Sequence, residues 1–165
     1  MTTATTRHTR ELRQRIGAVS RGATEGVIAS YIHHNGRLGA IVEVNCETVA
    51  GARDPHLAAL ARDLAEHVAA AAPLAVRREE LNPELIARRR REFEDKARAQ
   101  VKPDTLVDGF VEVKMREYLR SVVLLEQRSI REPALTVSEL IDGVAASLGE
   151  NVHVRRFSRF HMGVA

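Results

Sequence analysis

The chain has 165 residues, 44% of them hydrophobic, which is the size and apolar content of one globular domain with a real core. Its 25 basic and 22 acidic residues leave a formal charge of +3, too slight an excess, and too evenly alternated in sign, for a dedicated nucleic-acid binder. Cys46 is the only cysteine, and no apolar run approaches the ~20 residues that cross a bilayer. An internal disulfide, a cysteine-based zinc site and a spanning helix are therefore excluded, and with no apolar leader in residues 1–10 a cytoplasmic protein is expected.

Aromatic residues make up only 4% and tryptophan is absent, so the core must be built from Leu, Val, Ile and Ala, as where helices pack closely. Residues 1–10 are rich in Thr and poor in apolar side chains, and they read as a loose arm leading to a short helix over 11–16. From Gly26 the pattern changes to period two: Val27, Ala29 and Tyr31 alternate with Ile28, Ser30 and Ile32. Asn35-Gly36 then signals a hairpin turn, because a type I′ turn needs positive φ at both central residues. In the second strand Leu38, Ala40, Val42, Val44 and Cys46 share one face, with Gly39, Glu43 and Asn45 on the other.

Asp54-Pro55 reads as an N-cap and first helical residue, followed by the apolar stripe Leu57, Leu60, Leu64 and Val68 and a stop before Pro73. Pro83 opens a second helix with Ile86, Phe93, Ala97 and Val101 on one side and the pairs Arg90 with Glu94 and Arg91 with Asp95 on the other. Pro103 ends it and opens a third, in which Val107, Val111, Met115, Leu119 and Val122 recur at helical spacing. These two helices are expected to form an antiparallel hairpin. Thr136 and Glu139 form a capping box for a fourth helix that ends at Gly149. A third strand over 151–162 places Val152, Val154, Phe160 and Met162 on its apolar side. The expectation is an α+β fold, a small three-stranded antiparallel sheet packed against helices, with a helical hairpin.

Chemistry is sparse along this chain. His33-His34 is expected to lie in a strand with its side chains on opposite faces, which prevents the pair from chelating one ion. His153 and His161 lack carboxylate or cysteine neighbours at ligand spacing. Glu79, Glu80, Glu92 and Glu94 lie among arginines, as on a solvated helix face, and no nucleophile triad, phosphate loop or zinc motif is present. No catalytic residue, cofactor or metal is expected. Arg155, Arg156 and Arg159, interleaved with Phe157 and Phe160, could stack a nucleobase and hold phosphate. Against that, Phe160 is expected in the core, with the arginines covering the outer face of the sheet.

Several separated strings resemble the translation elongation factor Ts family and fall in that family's order: GVIASYIHHNGRLG at 26–39, VEVNCET at 42–48, LLEQ at 124–127 and GENVHVRRF at 149–157. The resemblance covers about Gly26 to Gly163. It implies residues 1–24 as an N-terminal arm, the remnant of a helical module, and 25–165 as a core (dimerisation) domain. It also implies binding to the GTPase elongation factor Tu, a homodimer, and release of GDP without bond chemistry.

Two departures from the family pattern follow. The string ELRQRIGA at 11–18 looks like the opening of a ubiquitin-associated-like module, yet the first core strand follows within a few residues. After Thr48 the family carries Asp-Phe-Val, whose Asp and Phe disturb the partner's GDP site, whereas this chain has Val49, Ala50 and Gly51. Loss of such an aromatic anchor costs about 2 kcal/mol or more at an interface hot spot. Thr48, Val49, Ala50 and Gly51 are the expected partner-binding turn. His67, in AEHVAA at 65–70, matches a helix histidine at the family's partner interface, with a partly buried packing role as the equal alternative. The expected function is a divergent factor that promotes exchange weakly if at all. The alternative is a non-exchanging paralogue that binds an elongation factor Tu or a related GTPase as adaptor or inhibitor. An RNA-binding role through the three arginines would show steep salt dependence.

Overall fold

A computed structural model describes residues 25–100 and 106–163. The arm at 1–24, the helix over 11–16, Val101 and the helix start at Pro103 lie outside the described residues. Two antiparallel strands, β1 (Glu25–Ile32) and β2 (Leu38–Cys46), are joined through Asn35-Gly36, but not by the type I′ turn expected: Gly36 takes φ 68° while Asn35 does not turn positive, the Gly36 N–H closes the turn onto the His33 carbonyl at 2.8 Å, and Asn35 Oδ1 accepts the N–H of Arg37. Next come a single-turn helix α1 (Val49–Ala52), α2 (Pro55–Ala71), a 3-10 turn (Arg78–Glu80), α3 (Pro83–Gln100), α4 (Val107–Val122), a second 3-10 turn (Leu124–Glu126) and α5 (Val137–Leu148). The chain closes on β3 (His153–His161), which lies antiparallel beside β2, so the sheet order is β1-β2-β3. This is the expected α+β architecture, with α1 as an added turn too short to leave a periodic signal.

Local chemistry explains the element ends. Asp54 caps α2 by accepting the N–H of His56 at 2.8 Å, with Pro55 at the first helical position. At its far end Ala72 turns left-handed, φ 50°, just before Pro73. The Thr136 hydroxyl accepts the N–H of Glu139 at 3.2 Å while the Glu139 carboxylate accepts the N–H of Thr136 at 2.7 Å, the reciprocal box expected for α5. Gly149, at φ 69°, ends α5.

The main core lies between one face of the sheet and α2. Leu57, Leu60, Leu64 and Val68 of α2 meet Ala40, Val42, Val44 and Cys46 of β2, with Val137 and Ile141 of α5 closing the side. Cys46 packs as a small apolar residue, and burial pushes its thiol up from the ordinary value. α3 and α4 form the expected hairpin around their own small cluster of Ala97, Val107, Val111 and Met115, flanked by Ile86, Phe93 and Phe110. Its charged surface pairs differently from the expectation. Arg90 crosses to Glu112 of α4 at 2.6 Å, and Arg89 holds Glu92 one turn on at 2.7 Å.

Two expectations for the strands are corrected. On β3 the register slips by one residue beside Glu43 and Val44: Glu43 pairs with Arg156 but Val44 pairs with Val154, leaving Arg155 as a bulge. One extra residue reverses every later side chain. Phe157 and Arg159, not Phe160 and Met162, therefore face the helices, and Arg159 Nε donates to the Ala69 carbonyl of α2 at 2.9 Å. Phe160 is 67% exposed and Met162 63% exposed on the opposite face, so neither belongs to the core. The second correction concerns His33 and His34, which follow the last residue of β1 and hold their rings 4.1 Å apart instead of on opposite faces. His33 Nδ1 is hydrogen-bonded to the Tyr31 hydroxyl at 2.9 Å.

Candidate functional site

The turn that follows β2 is built around one hydroxyl and one carboxylate. Thr48 has extended backbone and caps α1, its Oγ accepting the N–H of Gly51 at 3.1 Å. The Thr48 hydroxyl in turn donates to Glu150, and the same carboxylate accepts the N–H groups of Glu47 and Thr48, each at 3.1 Å. These bonds hold the Glu150 carboxyl below its usual range, with the Thr48 hydroxyl as the largest cause. Gly51 is buried against that carboxylate. Val49 and Ala50 are exposed, so the turn presents two small apolar side chains on a fixed backbone.

His67 occupies a different environment. It is buried in the C-terminal half of α2 with only 2% of its surface exposed. Its Nδ1 accepts the N–H of Ile130 at 3.4 Å, which leaves the ring proton on Nε2, facing Gln127 Oε1 at 2.9 Å. The Gln127 amide then donates to the Ser121 carbonyl at 2.6 Å. Burial pulls the His67 imidazole below the ordinary histidine value, partly offset by the Gln127 contact. His67 is thus buried more completely than the partly buried packing residue that was one of its two expected roles. His67 pins the segment after the second 3-10 turn to α2, and just outside it Arg131 pairs with Glu66 and with Asp63. Beside this network a cavity of about 210 Å³ opens between α2 and α5, floored by Leu60, Leu64, Val137, Leu140 and Val144.

The five expected site residues therefore fall in two places. Thr48, Val49, Ala50 and Gly51 form one capped turn, whereas the hydrogen bonds of His67 run to Gln127 and Ile130 rather than to that turn. Two residues that organise these places, Glu150 and Gln127, were not singled out for any role in the sequence. Both sit in the strings that carry the resemblance, but each acts on a partner at least 60 residues away, a distance that no local spacing reveals. Among the described residues no group of three His, Cys, Asp or Glu is gathered as metal ligands. Glu80 and Glu92 are tied to Arg77 and Arg89 as surface pairs. No described helix is long and apolar enough to cross a membrane.

Comparison with known proteins agrees with the resemblance in the quoted strings. The family model described as Elongation factor TS matches residues 3–164. The chain is 41% identical over 143 residues to the elongation factor Ts of Geobacter sulfurreducens, a match covering 87% of this chain and 66% of that protein. It is 43% identical over 144 residues to that of Heliobacterium modesticaldum, covering 87% and 67% respectively. Against that of Carboxydothermus hydrogenoformans it is 42% identical over 141 residues, covering 86% and 65%. The chain thus spans about two thirds of the length of the curated relatives it matches. A family match over nearly the whole length, with these identities, means that the chain belongs to the elongation factor Ts family.

Proposed function

We propose that this chain works in the cytoplasm as a translation factor that binds elongation factor Tu, with the turn Thr48, Val49, Ala50 and Gly51 as a contact, and that it promotes GDP release weakly if at all. The observation that carries the reading is the turn itself. It is exposed at its apex and rigidly hydrogen-bonded beneath, which is how a pre-organised contact keeps its ordering cost low. A factor of this kind speeds release by binding the nucleotide-free partner more tightly than the GDP form, and linkage then lowers GDP affinity by the same factor. Such discrimination needs a group that reaches into the nucleotide site. Val49 and Ala50 are shorter than the Asp and Phe of the family pattern, so the turn supplies contact area with little power to displace the ligand.

His67 supports the same surface indirectly. With 2% of its area exposed it offers a partner almost no direct contact. Its role in this reading is to fix the 127–131 segment, whose Arg131 and Ile130 are exposed beside it. The small turn also favours a second reading, an adaptor or inhibitor that holds a GTPase without releasing its nucleotide. A pull-down with nucleotide-free and GDP-bound elongation factor Tu separates the two. Preference for the nucleotide-free form supports weak exchange, and equal binding supports the adaptor. Failure to bind either form overturns both.

A homodimer is part of the proposal. Among the described residues helices cover only one face of the sheet, and on the other Ile28, Ile32, Ile41, Phe160 and Met162 are exposed together. A patch of large apolar side chains of this kind marks an interaction surface, and a second copy meets it with the same face.

A further inference from the structure

Glu150 follows the left-handed Gly149 at the end of α5, and its side chain turns back onto a segment about a hundred residues earlier. Its carboxylate accepts two consecutive backbone N–H groups, of Glu47 and Thr48, together with the Thr48 hydroxyl, whose oxygen accepts the N–H of Gly51. Consecutive N–H groups aimed at one carboxylate are a strong anion cradle, and bonds to a charged acceptor are about twice as strong as neutral ones. Gly51 is the other half of the device. A Cβ at position 51 would lie 2.5 Å from Glu150 Oε2 and 2.9 Å from Cδ, so a side chain there displaces the carboxylate from its present position. Gly51 lies inside α1 and lacks positive φ, and alanine is the better helix former at such a position. The glycine is explained by the carboxylate.

We propose that Glu150 is the positioning residue of the 48–51 turn: together with Gly51 it sets the conformation in which Val49 and Ala50 are presented to the GTPase. The statement rests on the partner reading above. Because Glu150 lies between α5 and β3, the turn is tied to the end of the closing helix as well as to β2.

Two measurements test this on the full chain. In the first, amide exchange at Glu47 and Thr48 is followed by NMR. Glu150→Gln and Gly51→Ala should each accelerate it at least tenfold, and the double variant should add nothing, since both act on one carboxylate. Unchanged exchange in Glu150→Gln, or additive effects, would overturn the proposal. In the second, affinity for nucleotide-free elongation factor Tu should fall at least fivefold in both variants. Thr136→Ala, which weakens the far end of α5 without touching the turn, should leave that affinity unchanged. Equal weakening in Thr136→Ala would reduce Glu150 to general stability and overturn the positioning role, as would freed amides with full affinity. If the unaltered chain shows no affinity, the partner reading falls, and amide exchange alone then decides whether Glu150 positions the turn.

Discussion

His67 shows how a single buried polar group writes itself into stability. Its Nδ1 accepts from Ile130, so a protonated ring would set one donor against another in a buried site. The folded imidazole is held below the ordinary value near 6.5, so on acidification the unfolded chain takes up its proton first. The stability contribution is complete above about pH 6.5 and is lost as pH falls below it. His153 adds in the same direction, lowered by burial and then by Arg77 and Arg155. Urea unfolding should therefore show a lower midpoint at pH 5.5 than at pH 7.5, with a smaller difference in His67→Gln. Identical differences would exclude His67 as the sensor. His67→Ala removes the ring and strands both the Gln127 and Ile130 partners, and should cost about 2–4 kcal/mol at pH 7.5. At this scale the sequence was only partly legible. The burial of Cys46 could be read, as could the grouping of Thr48, Val49, Ala50 and Gly51 in one turn. The faces of Phe160 and Arg159 could not, because the Arg155 bulge that reverses them depends on pairing with β2 rather than on any signal within β3.

Elements whose ends are determined by adjacent residues were the most legible. Asp54-Pro55 and Thr136 with Glu139 act within four residues, and each sits where the sequence placed it, whereas the hairpin at Asn35-Gly36 was legible in place but not in turn type, since only the glycine of the pair takes positive φ. The start of α3 at Pro83 was legible for the same reason. Its surface ion pairs were not, since Arg90 has a closer partner in Glu112 across the hairpin than along its own helix. Thr136→Ala should cost about 1 kcal/mol in urea unfolding, the usual value of an N-cap hydroxyl. The end of α2 gives a prediction of opposite sign. Ala72 sits at φ 50°, where a Cβ costs roughly 1–2 kcal/mol, and the added freedom of glycine in the unfolded chain returns part of that. Ala72→Gly should raise stability by about 0.5–1 kcal/mol, and a loss would mean that the left-handed cap is not maintained in solution.

At the scale of the whole molecule, the described residues form a one-sided sandwich: α2 and α5 cover one face of a three-stranded sheet, and the α3–α4 hairpin carries its own small core. The open face has its apolar residues in register, with Ile32 opposite Gly39 and Gly39 opposite Phe160. Introducing charge there should separate the proposed dimer without damaging the core. Phe160→Lys combined with Ile32→Lys should halve the mass measured by light scattering while leaving the circular dichroism spectrum unchanged. A mass already monomeric in the unaltered chain would remove the dimer from the account.

We propose that this member of the elongation factor Ts family engages elongation factor Tu through a turn that holds on to the GTPase but lacks the side chains to expel its nucleotide. Stopped-flow release of a fluorescent GDP analogue from elongation factor Tu, with the unaltered chain and with the Val49→Asp, Ala50→Phe double variant, tests it most directly. Slight acceleration by the unaltered chain and at least tenfold more by the variant are expected, since the restored aromatic supplies an anchor of about 2 kcal/mol or more. Release that neither protein alters, with no complex formed, would contradict it.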